Sequence, residues 1–443
     1  MRTTSTRARL RTRAGDQPAA VILKMVPDSY AHGRLCAIRT LGKMGVRTVV
    51  VTERRVDPAS LSKWADRIVV IPFSATPGEE AKDALVALGR ELGDRPVLLA
   101  TDDVGALFVD DHADALCQVY RFPIGPRGLA RSLADKGNLH ELSRQAGIPT
   151  PEAYFPKDRR DASLFAARSS YPVVLKSMDP QLMRRRPGAR SVVIASDPGA
   201  LLRGYDEMEV EGDRPNVMFQ EFIPGDPLTV WMFNGYFDAS SRCLVGFTGQ
   251  KLRQYLPATG ATSLGVCRAN PEVASLASRF LAAIGYRGIV DMGFRYDARD
   301  GRYKLLDVNP RMGATFRLFV GSGGLDVVRA MYLDLTGQPV PAEETVEGRR
   351  WVVEPFDLRS YTIEHRAGGI STRDWLRSLR GVDEWAWWDP SDPLPALAVA
   401  VAMGAQSARA RLRRARGVGL GRFPSGEPEA ETMSNPALTG QRT

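Results

Sequence analysis

The chain turns on YRGIVDMGFRYDARDGRYKLLDVNPRMGATFR, residues Tyr286 to Arg317. From Gly288 to Tyr296, and again from Tyr303 to Asn309, apolar and polar residues alternate as in half-buried strands, and the intervening Asp-Ala-Arg-Asp-Gly is turn chemistry. The pattern predicts a β-hairpin. With a period of two, Asp291 lies on the face opposite Met292 and Phe294, and Asp307 and Asn309 lie on the face opposite Leu306 and Val308. An even register sets Asp291 opposite or diagonal to Asp307, with Cβ atoms roughly 5 to 8 Å apart. Two like charges facing each other on a mostly apolar sheet repel. A hard divalent cation removes the conflict, since Mg²⁺ takes carboxylate and amide oxygens at about 2.0–2.1 Å and leaves room for phosphate oxygens.

An Asp pair that simply faces water on an exposed sheet needs no metal. Here Asn309 shares the face of Asp307, and Pro310 and Arg311 follow. Acid, amide and guanidinium at one strand end make a metal and oxyanion constellation. The D-x-N-P-R strand end, with an Asp on the preceding strand, resembles the metal-binding hairpin of the ATP-grasp superfamily, which includes biotin carboxylase, D-alanine–D-alanine ligase and many carboxylate–amine ligases. The resemblance implies Asp291, Asp307 and Asn309 as metal ligands.

At 443 residues the chain is long enough for two or three domains. Hydrophobic content of 44% and charged content of 25% are those of a globular protein. The net charge of +9 sits at the ends: +4 within residues 1–16, +6 within 405–422 and −2 within 423–443, which leaves +1 for the body. The excess belongs to tails, so it does not mark a specific nucleic-acid site. Cys36, Cys117, Cys243 and Cys267 lack CxxC spacing, which argues against a zinc site and a disulfide framework and fits a reducing cytoplasm. The first 18 residues carry charges without an adjoining apolar core, unlike a secretory signal.

From Ala19 a short apolar run, a Gly-containing loop, a helical stretch ending at Gly45 and a second β-branched run predict a β-α-β unit. Arg67–Ile71 and Val97–Ala100 read as further strands and 78–92 as a helix, giving a Rossmann-like domain over 19–126. Its first loop, Pro27–Gly33, lacks G-x-G-x-x-G and so is not read as a dinucleotide site. Thr101-Asp102-Asp103 follows a strand at the carboxyl edge of the sheet, where it serves either as a helix cap or in a pocket.

Further motifs follow in the order that the superfamily has them. Asp135-Lys136, a helix and Gly147-Ile-Pro-Thr-Pro151 resemble the entry to an ATP-grasp domain, which implies that Lys136 reaches nucleotide phosphates. In Tyr171-Pro-Val-Val-Leu-Lys176 the lysine ends an apolar strand and needs a counter-charge, because burying a bare ammonium is costly. It matches the second phosphate-contacting lysine. Arg184, Arg185, Arg186 and Arg190 lie where relatives often carry a glycine-rich flap; the segment departs from that pattern and is read either as a basic lid or as a solvated charge run. NVMFQEFIPG, residues 216–225, resembles the hinge whose backbone meets adenine, implying Gln220, Glu221, Phe222 and Ile223 at the base; the acidic ribose position of relatives falls by the closest spacing on Pro227, and Asp226 beside it is the candidate. On a strand, Lys251, Arg253 and Tyr255 share one face beside a Thr/Gly-rich loop, an anion site suited to an acyl phosphate. Arg317 is a further candidate for the substrate pocket.

Beyond residue 349 the reading is less determined. Trp351, Trp375, Trp385, Trp387 and Trp388 precede a short apolar helix over 396–403, too short to span a bilayer. It packs on the core, or with the Arg409–Arg416 run makes a weak membrane-surface contact.

The expected fold class is α/β and α+β. A basic arm (1–18) and the Rossmann-like domain (19–126) precede a two-lobed ATP-grasp domain (134–340, lobes about 134–216 and 217–340), then a Trp-rich extension (345–404) and a tail (405–443). The resemblance implies an ATP-dependent carboxylate–amine ligase using ATP and Mg²⁺, or Mn²⁺, on a small-molecule carboxylate and amine. Asp291, Asp307 and Asn309 would hold metal, Lys136 and Lys176 the phosphates, and Arg311, Lys251 and Arg253 the acyl phosphate and oxyanion. The rivals are a carboxylase or phosphotransferase on the same fold, and a non-catalytic module bound through the basic tails.

Overall fold

The computed structural model describes residues 17–27, 32–54, 57–178, 190–209, 215–255 and 260–415, with side chains described to residue 405. Residues 1–16 of the basic arm, Arg184–Arg186, Pro257–Thr259 and the tail from residue 416 lie outside the described residues.

The N-terminal unit alternates β1 (Ala20–Lys24), α1 (His32–Lys43), β2 (Thr48–Thr52), β3 (Arg67–Val70), α2 (Gly78–Leu92), β4 (Val97–Ala100), α3 (Asp103–Asp111) and α4 (Ala113–Leu116). Its strands are parallel in the order β3-β2-β1-β4. Every residue of β1 and β2 is buried, as expected for parallel strands covered on both faces. In α2 the buried Ala81, Leu85 and Leu88 recur at helical spacing and turn one stripe to the sheet.

After α5 (Leu129–Ala134) and α6 (Lys136–Gln145), a second unit comprises β5 (Ala153–Tyr154), α7 (Arg159–Arg168), β6 (Val173–Ser177), β7 (Val192–Ala195), α8 (Pro198–Met208) and β8 (Val217–Glu221). Its sheet runs β5-β8-β6-β7. Since β8 pairs with β5 and β6, this lobe continues to Glu221, five residues past the expected boundary at 216.

The third unit holds β9 (Val230–Phe237), β10 (Cys243–Tyr255), β11 (Ala261–Cys267), α9 (Pro271–Ala283), β12 (Gly288–Asp297), β13 (Arg302–Asn309), α10 (Val327–Leu335), β14 (Arg350–Val352), α11 (Glu354–Arg366), α12 (Thr372–Ser378), β15 (Glu384–Trp385) and α13 (Leu394–Ala415). Seven strands run β13-β12-β9-β10-β11-β14-β15. The expected hairpin is its edge. β14 and β15, in the Trp-rich extension, complete the same sheet rather than forming a separate domain.

One apolar core joins α1 of the first unit, Met232 and Phe247 of this sheet, and Trp351 and Trp387 of the extension. The extension also clamps the N-terminal unit: Asp392 accepts hydrogen bonds from Arg39 Nε at 3.0 Å, Ser62 Oγ at 2.6 Å and the Lys63 amide at 2.8 Å. The final helix is longer than the predicted 396–403 segment, and among the described residues no helix is long and apolar enough to cross a membrane.

Candidate active site

In the hairpin, Asp291 stands opposite Asn309 and Gly293 stands opposite Asp307, so the two carboxylates are diagonal neighbours. Next to Asp291, across β9, is Asn234. Its Nδ2 donates to Asp291 Oδ1 at 2.9 Å, and Asn309 Nδ2 donates to Asp291 Oδ2 at 3.3 Å. Gly313 lets the turn after β13 lie against this group, for a Cβ there would meet Asp291 Cγ at 2.6 Å. Opposite Asp307 there is room, because a Cβ at Gly293 would meet nothing closer than Asp307 Cβ at 4.0 Å.

Burial pushes the Asp291 carboxyl up, partly offset by Arg311 and by the Asn234 hydrogen bond. Burial also raises Asp307, but its ion pair with Lys136 outweighs that and holds the carboxyl below its ordinary value. Asn234 Oδ1 is buried without a hydrogen-bond partner. An acceptor left bare beside the Asp291 carboxylate suits a cation, whose charge would satisfy both groups. Among the described residues no cluster of three or more His, Cys, Asp or Glu is placed for a metal, so any ion here would rely on two carboxylates and amide oxygens. Asn234 was missed from the sequence, although it is the single side-chain amide in the otherwise apolar VWMFNGYF.

Two lysines flank Asp307. Lys136 begins α6, behind an Asp135 cap that accepts from the Asn138 amide. Lys176, on β6 of the other lobe, donates to the Leu306 carbonyl at 3.4 Å. Burial pushes its ammonium down to about 8, with Lys136 acting in the same direction and Asp307 against it. Lys251 donates to the Gly260 carbonyl at 3.2 Å; burial lowers its pKa against the opposing pull of Asp291 and Asp307.

Arg311 reaches back to the N-terminal unit, where its Nε donates to Asp103 Oδ1 at 2.6 Å. Asp103 and the other charges outweigh burial and raise the guanidinium pKa. Asp102, by contrast, is a cap: its Oδ1 accepts from the Gly105 amide at 2.7 Å and its Oδ2 from the Met25 and Val26 amides. Position 103 thus belongs to the site and position 102 to the helix.

The hinge runs from Gln220 to Asp226 between the two sheets. Gln220 and Ile223 are buried. The Glu221 carboxylate meets Arg299 at 2.6 Å and Lys304 at 3.3 Å, tying the hinge to the hairpin, and the Arg295 guanidinium lies 6.0 Å from the centre of the Phe222 ring. Asp226 is exposed, and its Oδ1 accepts from the Leu228 amide at 2.8 Å, capping a short turn.

Two expectations need correction. Lys251, Arg253 and Tyr255 do not form one row, because irregularities in β10 on both sides of Arg253 break the alternation. Arg253 is buried and donates to Asp357 at 2.9 Å and Ser378 at 2.7 Å, while Tyr255 stacks on Phe356. Arg253 therefore holds the C-terminal extension instead of serving the anion site. Arg317 is likewise held, between Glu384 at 2.7 Å and Asp326 at 2.8 Å. Of the basic segment, Arg190 is described and lies 3.9 Å from Glu207.

No family model matches the chain. It is 24% identical over 240 residues to D-aspartate ligase of Enterococcus faecium, a match covering 53% of this chain and 57% of that protein. Among solved structures, the biotin carboxylase domain of Hydrogenobacter thermophilus 2-oxoglutarate carboxylase, in complex with MgADP, ADP and bicarbonate, superposes with a TM-score of 0.56. That match has 17% identity and covers 76% of this chain and 74% of the other. L-amino acid ligase from Bacillus licheniformis matches with a TM-score of 0.53 at 16% identity, over 72% of this chain and 74% of the other. The likeness to these neighbours extends over about three quarters of the chain and shows that it carries the ATP-grasp fold.

Proposed function

We propose that the protein is an ATP-dependent, ADP-forming ligase that joins a small-molecule carboxylate to an amine through an acyl phosphate. The observation that carries this reading is the grouping of Asp291, Asp307, Asn309 and the bare Asn234 oxygen beside Lys136, Lys176 and Arg311. The relatives supply the direction, since one is named D-aspartate ligase and another L-amino acid ligase.

The substrate carboxylate attacks the γ-phosphorus of ATP, and the bond to the bridging oxygen breaks with its electron pair leaving on ADP. The amine nitrogen then attacks the acyl carbon, the carbon–oxygen bond to phosphate breaks, and the nitrogen's proton passes to solvent. Gln220 to Ile223 form the adenine slot, and Asp226 lies beside the ribose. Lys136 and Lys176 hold the phosphates. Asp291, Asp307 and Asn309, with Asn234, would hold Mg²⁺ or Mn²⁺, which would supply neutralisation of the phosphoryl charge. Lys251 faces the acyl phosphate, and Arg311 neutralises the oxyanion formed when the amine attacks. No protein nucleophile is required. Four free cysteines fit a reducing cytoplasm.

The test is ADP release with Mg²⁺ and ATP against acids and amines singly and in pairs. Turnover that needs both partners, and that falls about 10²- to 10³-fold in Asp307→Asn, is expected. Turnover driven by bicarbonate without an amine would instead mark a carboxylase.

A further inference from the structure

α13 packs against the core with one face and leaves another bare. Val399 lies in the core that joins α1 to Trp351 and Trp387, and the partly buried Ala396 and Met403 pack against it. These three recur at helical spacing and form the inner face. Leu394 is 57% exposed, Leu397 54% and Val401 72%. Three and four residues apart, they form one outward row, and Ala400, Gly404 and Ala405 near it are also exposed. Residues 394–405, LPALAVAVAMGA, contain no charged side chain. A surface helix ordinarily turns polar residues to water, so a row of large apolar side chains on its outer face marks a contact. The helix continues to Ala415. In the sequence the spacing of the outward row carries on through Ala405, Ala408 and Leu412, while Arg409, Arg411, Arg413 and Arg414 occupy other positions of the same turns. No Asp or Glu occurs from Pro393 to Arg422.

We propose that α13 docks the protein on an anionic lipid bilayer, lying along the surface with Leu394, Leu397 and Val401 in the outer acyl layer and the arginines on headgroup phosphates. The proposal does not depend on the ligase reading. The helix asks its partner for two things side by side, an apolar layer and a sheet of negative charge, and a bilayer surface supplies both. Arginine suits that boundary, since its stem lies along apolar surface while its guanidinium reaches a phosphate through two parallel hydrogen bonds. A second copy of the helix fits less well. Antiparallel pairing would set the guanidinium groups over the partner's uncharged half, and parallel pairing would set them against one another; neither provides a counter-charge. Nucleic acid would take the arginines and leave the apolar row in water. The helix lies on the bilayer rather than across it, because four arginines in its second half are costly to bury in hydrocarbon.

The experiment is cosedimentation of the full chain with vesicles of phosphatidylcholine, with and without phosphatidylglycerol. Binding to the anionic vesicles is expected to be about tenfold or more tighter than to the neutral ones, and to weaken as salt is raised. Two sets of substitutions separate the two contributions. Leu397→Ser combined with Val401→Ser removes apolar surface from side chains that already face water, so the melting temperature should hold while binding to anionic vesicles falls about tenfold. Replacing Arg409, Arg411, Arg413 and Arg414 by Gln should abolish the preference for anionic over neutral vesicles. Failure to bind anionic vesicles, or equal binding to neutral ones, would overturn the proposal. Binding that survives the paired Ser substitutions would show that the apolar row takes no part, and would overturn it as well. Self-association in vesicle-free buffer that the Ser pair abolishes, with no vesicle binding, would assign the face to a second copy of the chain. Binding to single-stranded DNA as tight as that to anionic vesicles would assign the arginines to nucleic acid instead.

Discussion

Lys176 shows how burial sets the chemistry of a single group. With its pKa pushed down to about 8, the ammonium is already partly neutral in mildly alkaline solution. A bound phosphate would favour the charged form and raise that value again. Binding above pH 8 should then take up a proton, and nucleotide affinity should fall with rising pH, by at most about tenfold per unit from this group. The stability of the nucleotide-free protein moves the other way. Its Lys176 binds fewer protons than the unfolded chain between about pH 8 and the ordinary lysine value of 10.5, so stability from this group rises across that window. Calorimetry of ADP binding in buffers of different ionisation enthalpy measures the uptake, and Lys176→Met should abolish it. The residue was legible in the sequence because a lysine ending an apolar strand poses an obvious charge problem. Asn234 was not singled out, although burial of an amide poses a similar problem, because its relevance rests on a cross-strand neighbour 57 residues away.

At the scale of the element, β10 is where alternation misled. A strand pattern assumes an unbroken pleat, and bulges are set by the pairing of both strands, which one strand's sequence does not reveal. The consequence is testable. Arg253 and Asp357 are both buried, and Asp357 also accepts from Trp375 Nε1 at 2.8 Å. Arg253→Ala leaves that carboxylate without its cation and should destabilise the protein by about 3–5 kcal/mol, read from urea unfolding. Asp357→Ala added to it should cost much less than the sum of the two single changes. Loss of turnover without loss of stability would return Arg253 to the anion site. The hairpin of β12 and β13 was legible because its turn residues and alternation agree, whereas its diagonal register was one of two outcomes an even turn allows.

Across the whole molecule, the C-terminal extension is structural. β14 pairs with β11, Trp351 and Trp387 lie in the core shared with α1, and Asp392 clamps three donors of the N-terminal unit. A chain ended after residue 343 should fail to fold cooperatively. One ended after residue 405 should retain its sheet, its core and a melting temperature within a few degrees of the full chain, since a change of about 1 kcal/mol moves a protein of this size by only about 2–4 °C or less. Thermal unfolding followed by circular dichroism distinguishes the two. A stable, cooperatively folded product ending at residue 343 would make the extension an accessory rather than part of the fold.

By itself the sequence determined what local spacing controls: the parallel N-terminal sheet, the hairpin with its two carboxylates and Asn309, the hinge, and the lysines that end or begin elements near it. Each depends on alternation, capping or a charge that an apolar run must place somewhere. The tertiary structure decided what depends on pairing between distant segments. It set Asn234 against Asp291, brought Asp103 to Arg311, and turned Arg253 and Arg317 into struts. The physical reason is that a charge and its partner are chosen by three-dimensional proximity, and no local pattern records which of many acids an arginine will meet.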